Sequence, residues 1–322
     1  MIHPIPPGTR DVLPDEMREL RSITERLRGA FEGAGYGEVW TPAVEYEEVL
    51  RTGDRTAAGA GYRLFDEHGQ VLALRSDMTI PIARLVATRM PVAGEPLRLC
   101  YFAHAYRAVG RGSGQPREFL QAGLELIGVD GAAGEAEVIE LTLVSLDEAG
   151  LGRHRIGLGD GALYRNLLAG LEVPAERQDE LLERLSVRDL VGIEAIVHEL
   201  GLAADARDLL ARLPALRGGP EVLDRVHGPV GGALDGLRTL HAALEGRGVA
   251  DRVILDLGLV RMLGYYTGAV YEVYDPAVGF TLGGGGRYDD LIGRFSDPRP
   301  ACGVALDVQR VHIAQAAEEG LR

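Results

Sequence analysis

The sequence predicts an α+β fold: an antiparallel sheet flanked by helices, with a helical insertion. Three observations predict it. Short apolar-alternating stretches are joined by hairpin-type turns, helical stretches are grouped apart from them, and a leucine-striped segment interrupts the strands. On this division residues 1–161 and 251–322 form the sheet-bearing core, and 162–250 form the insertion.

The elements follow in order. Pro14-Asp15-Glu16 opens a helix, with acids in its first turn and Leu20, Ile23, Leu27 and Phe31 at helical spacing; Gly33 to Gly37 ends it. Val39 to Pro42 reads as a short strand stopped by proline. Tyr62–Asp66 and Val71–Arg75 alternate about a glycine-bearing turn, the pattern of a hairpin. Ile80 to Met90 reads as a helix. Arg98–Ala103 and Phe119–Ile127 read as antiparallel strands around a polar loop, Gly110 to Arg117, and Glu135 to Ala149 as a helix.

From 162 to 250, Leu181, Leu182, Leu185, Leu190, Ile193, Ile196, Val197 and Leu200 recur at helical intervals, as do Leu234, Leu237, Leu240 and Leu244. These stripes are packing faces. Ser186 to Asp189 resembles a capping box with Asp in the Glu position. Strands return at Val253–Leu257, Ala269–Tyr274 and Gly279–Leu282, leading into Gly283 to Gly286. That glycine run is either a tight β-linked turn or a close backbone approach to a ligand. Ala301–Leu306 is a last strand before a C-terminal helix.

Composition narrows the chemistry. Net charge is −14, so phosphate backbones are repelled and nucleic acid is a poor default partner. The basic residues are all arginine, which excludes Schiff-base lysines, pyridoxal phosphate anchoring and a lysine P-loop. The eight histidines form no His-x-x-x-His pattern, and the two cysteines, Cys100 and Cys302, form no Cys-x-x-Cys; no metal is expected. Two cysteines suit a reducing compartment, no apolar run is long enough to span a bilayer, and the N-terminus lacks signal-peptide features. The expectation is a cytoplasmic protein without membrane contact.

Certain residues fit no core. Gln121, Gly123 and Glu125 share one face of a strand, so that face resembles the floor of a polar pocket. Arg107, Arg111 and Arg117 crowd the loop before it. Arg261 precedes Tyr265-Tyr266: a guanidinium suits a carboxylate, and a tyrosine offers a ring with one hydroxyl.

Six ordered segments carry a resemblance to class II aminoacyl-tRNA synthetases of the histidyl-tRNA synthetase family. Pro7 to Pro14 resembles that family's opening, Gly35 to Pro42 its motif 1, and Tyr106-Arg107 with Arg117 to Gln121 its motif 2. Leu259 to Gly268 and Gly285 to Asp289 resemble its histidine signatures, and Ala301 to Arg310 its motif 3. Leu74 to Arg84 is similar to the ATP phosphoribosyltransferase regulatory-subunit branch, although Ser76 stands where that branch has proline. The chain also stops soon after motif 3, where synthetases continue into an anticodon-binding domain. Val109, Gly264 and Gln309 stand where acids usually do.

The resemblance implies no catalytic residue, no cofactor and no tRNA partner. It implies a histidine-binding pocket of Asp77, Thr79, Arg107, Gln121, Glu125, Arg261, Tyr265 and Tyr266. Arg261 would take the ligand carboxylate. Asp77, Thr79 and Gln121 would take the α-ammonium, and Glu125 and Tyr266 the imidazole nitrogens, with Tyr265 packed nearby. An ionised Glu125 would favour imidazolium, and the loops at Gly110–Gly114 and Gly283–Gly286 would order around histidine. The implied partners are a short-form ATP phosphoribosyltransferase catalytic subunit, L-histidine as effector, and a second copy, in a dimer within a hetero-octamer. Histidine binding at the subunit interface is left open. So is a histidine-activating ligase or truncated synthetase-like enzyme, because Arg107 and Arg310 are retained.

Overall fold

A computed structural model describes residues 5–54, 61–90, 94–108, 115–226, 234–260 and 264–321. Val109, the Gly110–Gly114 run, Arg111 and Arg261 lie outside these residues.

Twelve strands form two sheets among the described residues. The small one joins β2 (Val44–Tyr46), β4 (Val71–Leu74) and β3 (Arg63–Phe65), all antiparallel, with β3 and β4 forming the expected hairpin. The large one has nine strands. Its order is β1 (Gly37–Glu38), β5 (Leu97–Tyr106), β6 (Glu118–Ile127), β12 (Ala301–Asp307), β11 (Thr281–Arg287), β10 (Ala269–Tyr274), β7 (Arg155–Asp160), β9 (Val253–Asp256) and β8 (Arg217–Gly218). This sheet is mostly antiparallel. β1 pairs parallel with β5 and β7 parallel with β9. Parallel neighbours require a long crossover, and residues 161–252 supply it between β7 and β9.

Helix α1 (Pro14–Gly33) starts with proline in its first turn and buries Leu20, Ile23, Leu27 and Phe31 against α4 (Gly131–Glu148) and the C-terminal α10 (Val308–Gly320). Each such side chain contributes about 1.5–3 kcal/mol when fully buried. The apolar cluster runs from Leu124 and Leu126 of β6, through Val138 and Leu143 of α4, into the leucine stripes of α6 (Ala175–Ser186), α7 (Leu190–Glu199) and α9 (Asp235–Gly246).

Four local readings differ from the sequence. Val39–Pro42 is not a strand. The Arg75 guanidinium, nearly fully buried, takes the carbonyls of Thr41 (2.6 Å) and Pro42 (3.1 Å), acceptors that a ladder would otherwise use. Asp189 is itself the N-cap of α7, accepting from the Gly192 N–H, whereas Ser186 ends α6 with its hydroxyl on the Glu183 carbonyl. Strand β7 escapes the alternation pattern because Gly157 and Gly159 dilute it. Finally, Gly283–Gly286 is neither a turn nor a mobile loop but the interior of β11, paired on both sides. A Cβ on Gly285 would stand 1.9 Å from the Gly303 carbonyl and 2.7 Å from the Tyr271 hydroxyl, so only glycine lets three central strands and a tyrosine meet there.

Candidate functional site

The candidate site is a cavity of about 110 Å³ over the middle of the large sheet, close in scale to cavities that take one aromatic ring. Its floor is β6. The alternation seen in the sequence puts Gln121 and Glu125 into the cavity, and Gly123 between them leaves space for the Tyr101 hydroxyl, which would otherwise lie 2.3 Å from a Cβ.

One wall is the start of α3 (Thr79–Arg89). Arg75 holds this segment against β5 through the His104 carbonyl (2.9 Å), and Asp77 and Thr79 follow it into the cavity. Asp77 accepts from the Ile80 N–H (3.2 Å), which fixes its carboxylate at the head of the helix. Burial raises the Asp77 carboxyl above its ordinary value, and Arg107 opposes the rise. The opposite wall is Tyr265 and Tyr266, with ring centroids 4.9 Å apart, backed by Tyr288, whose ring meets Tyr265 edge-on at 6.0 Å.

Glu125 is the most altered group. It is 1 % exposed, and burial pushes its carboxyl up to about 8. It accepts from the Thr79 hydroxyl at 2.9 Å and from the Tyr288 hydroxyl. Asp77 adds a second, smaller upward push. Across the sheet Gly303 pairs with Glu125 in register, and a Cβ there would lie 1.8 Å from Glu125 Oε2. The carboxyl group fills the space that a side chain at 303 would need. At the other end of the floor, Gln121 is 5 % exposed and its Oε1 has no hydrogen-bond partner among the described residues. An acceptor left this way costs about 1–3 kcal/mol unless something donates to it.

The far rim carries the arginines. The Arg107 guanidinium lies 4.7 Å from the centre of the Phe119 ring. Arg310 donates to the Thr281 carbonyl (2.8 Å) and lies beside Asp307, which caps α10 through the Arg310 N–H. Gln309 turns away from the cavity and accepts from the Leu120 N–H (2.9 Å), bracing β6.

Seven of the eight residues singled out from the sequence therefore line one cavity: Asp77, Thr79, Arg107, Gln121, Glu125, Tyr265 and Tyr266. The eighth, Arg261, lies outside the described residues. Thr79 differs from its expected place, because its hydroxyl serves Glu125 rather than joining Asp77 and Gln121. Tyr288 was missed as a site residue. It sits in the Gly285–Asp289 segment, and a tyrosine just after a central glycine-rich strand was the available signal. Among the described residues no cluster of three potential ligands could hold a metal, and no helix is long and apolar enough to cross a membrane.

Comparison with known proteins fixes the lineage. A family model described as histidyl-tRNA synthetase matches residues 8–311. A protein from Symbiobacterium thermophilum named ATP phosphoribosyltransferase regulatory subunit is 42% identical over 332 residues, covering 98% of this chain and 82% of its own. One of the same name from Desulforamulus reducens is 40% identical over 319 residues, covering 98% and 79%. The chain belongs to the ATP phosphoribosyltransferase regulatory-subunit family, a histidyl-tRNA synthetase-like lineage.

The solved structures agree with that membership. A Bacillus halodurans protein titled ATP phosphoribosyltransferase regulatory subunit/histidyl-tRNA synthetase superposes with a TM-score of 0.90 at 33% identity, covering 98% of this chain and 84% of that one. A histidine–tRNA ligase subunit from Alicyclobacillus acidocaldarius superposes at 0.84 with 31% identity, covering 99% of each. The cavity of this family member carries carboxyl groups at Asp77 and Glu125 and an open amide acceptor at Gln121.

Proposed function

We propose that this chain is a non-catalytic regulatory subunit. It would be required by a short-form ATP phosphoribosyltransferase catalytic subunit, and would confer feedback inhibition by L-histidine held in the cavity above β6. The observation that carries the reading is the pairing of an unpartnered Gln121 oxygen with the buried Glu125 carboxyl and the half-buried Asp77 carboxyl in a ring-sized space. The α-ammonium would donate to Asp77 and to Gln121 Oε1. The ring would lie against Tyr265 and Tyr266 and reach Glu125. Arg261 would receive the carboxylate, with Arg107 at the rim. Each charge-assisted bond contributes about 1.5–3 kcal/mol net, so a few of them reach the roughly −8 kcal/mol of a micromolar sensor.

The chain would act in the cytoplasm, as a dimer within the hetero-oligomer, without tRNA. Three facing pairs of the small sheet support self-association. Val44 lies opposite Leu74, Tyr46 opposite Leu72, and Leu64 opposite the same Leu72; Val44, Tyr46 and Leu64 are exposed, and Trp40 nearby is 87 % exposed. Apolar area of this kind at a surface marks a protein contact.

The test is reconstitution. A short-form transferase should gain activity on adding this chain, and millimolar histidine should remove that gain. No change in transferase activity would refute the regulatory role. A histidine-activating ligase has one observation in its favour, the presence of Arg107 and Arg310 at the same rim. Histidine-dependent ATP–pyrophosphate exchange by the purified chain would establish it instead.

A further inference from the structure

We propose that Glu125 and the ring of the bound ligand share a single proton: the buried acid hands its proton to a basic ring nitrogen on binding, and the pocket thereby selects rings that can accept one. The inference rests on the cavity's being an amino-acid site, and goes beyond it by naming the chemical property the site reads.

The geometry carries it. Both oxygens of Glu125 meet neutral hydroxyl groups, Thr79 Oγ1 on one and the Tyr288 hydroxyl on the other; their donation favours the ionised form but is outweighed by burial, and neither brings a counter-charge. No arginine or histidine among the described residues contacts it. The described groups that act with it are acidic or neutral: Asp77 from the start of α3, Tyr101 from β5, Tyr271 from β10, Cys302 from β12 and Tyr288 after β11. Among these groups Arg107 acts on Asp77 and Arg287 on Cys302, and neither acts on Glu125. A carboxyl with no counter-charge among the described residues, beside a second carboxyl and almost without solvent, keeps its proton. The upward push to about 8 says the same.

The proton balance follows. Near pH 7 the empty pocket holds neutral Glu125 and the free ligand carries a neutral imidazole. On contact the O–H bond of Glu125 breaks, an N–H bond forms on the ring nitrogen, and a carboxylate–imidazolium pair results. No proton is exchanged with solvent. Above about pH 8 Glu125 is already ionised when empty, so binding takes one proton up. Below about pH 6.5, the ordinary imidazole value, the ring arrives protonated and binding releases one. Affinity is therefore flat between those limits and falls about tenfold per pH unit outside them. If Glu125 were ionised both before and after binding and merely accepted a ring N–H, binding would exchange no proton at pH 7 and the alkaline fall would be absent.

The experiment is calorimetric titration of L-histidine into the full-length chain, in buffers of different ionisation enthalpy, from pH 6 to 9. The Glu125→Gln variant is measured alongside, since its amide can donate to a neutral ring but has no proton to give. The wild type should show no net proton exchange near pH 7.2 and an alkaline fall in affinity beginning near pH 8. The variant should lack that fall, and the ligand's α-amine affects both proteins equally, so their difference isolates Glu125. Pyrazolylalanine, similar in size but a far weaker base, should bind at least about tenfold more weakly than histidine to the wild type, and within about threefold of it to the variant. Release of one proton at pH 7.2, or identical alkaline limbs in both proteins, overturns proton sharing while leaving histidine binding intact. Absence of histidine binding at every pH overturns both.

Discussion

Adding one methyl group at Gly303 tests whether Glu125 is seated as described. A Cβ there would stand 1.8 Å from Glu125 Oε2 and 2.6 Å from the Leu124 carbonyl oxygen. The carboxyl can swing away; the carbonyl belongs to β6, held between β5 and β12, and cannot. Overpacking of this kind costs about 1–3 kcal/mol. Displacing Glu125 from Thr79 and Tyr288 also removes its bond to the ring, about 1.5–3 kcal/mol, which is roughly 10- to 150-fold in histidine affinity. Gly303→Ala should therefore melt several degrees lower and bind histidine at least tenfold more weakly, read by thermal denaturation and calorimetry. Thr79→Val provides the matched control, because it removes a donor to Glu125 without a clash, and should weaken binding with little loss of stability. A Gly303→Ala chain with wild-type affinity and wild-type melting temperature would refute the placement of Glu125.

Other consequences are equally open to measurement. Gln121→Leu should hold or raise the melting temperature, since it deletes an unpartnered acceptor, yet weaken histidine binding by about 1.5–3 kcal/mol; unchanged affinity would remove Gln121 from the site. Arg287 joins Glu135 (3.1 Å), Asp289 (2.9 Å) and the Gly131 carbonyl (2.6 Å) in a nearly solvent-free position, so Arg287→Ala should destabilise the fold by about 3–5 kcal/mol in denaturant unfolding. The folded-state value of Glu125 lies above its unfolded value, so the empty protein loses stability as pH rises from about 4.5 to about 8. Glu125→Gln should flatten that loss, and unfolding curves at pH 5 and pH 8 will report it. His154, buried against the Leu143 carbonyl and beside Arg252, is pushed down to about 4, mainly by burial, so its contribution to stability is lost as pH falls from about 6.5 towards 4. His154→Gln should show a shallower acid limb in unfolding than the wild type.

Much of the site was legible because two-residue periodicity survives burial. Gln121 and Glu125 had to share a face once β6 was recognised as a strand, and the resemblance to histidyl-tRNA synthetases implied Asp77, Thr79 and the tyrosine pair near them. What escaped depended on contacts between strands distant in sequence. Gly283–Gly286 read as either a turn or a close backbone approach to a ligand because local rules give glycine to both, whereas strand pairing puts it inside β11, where β10, β11 and β12 crowd around the Tyr271 hydroxyl and Gly283, Gly284 and Gly285 line the cavity. Tyr288 gains its role only because β11 runs beside β12 and so returns it to Glu125 on β6. The parallel pairing of β7 with β9 depends on how the intervening helices fold back, which no local pattern encodes.

The account rests on free histidine entering the cavity above β6. Titrating L-histidine into the chain, alone and assembled with a short-form transferase, and repeating this with Glu125→Ala, addresses it directly. One histidine per chain, lost in the variant while its melting profile persists, is the expected result. Equal binding by both proteins, or no heat from either, would contradict it.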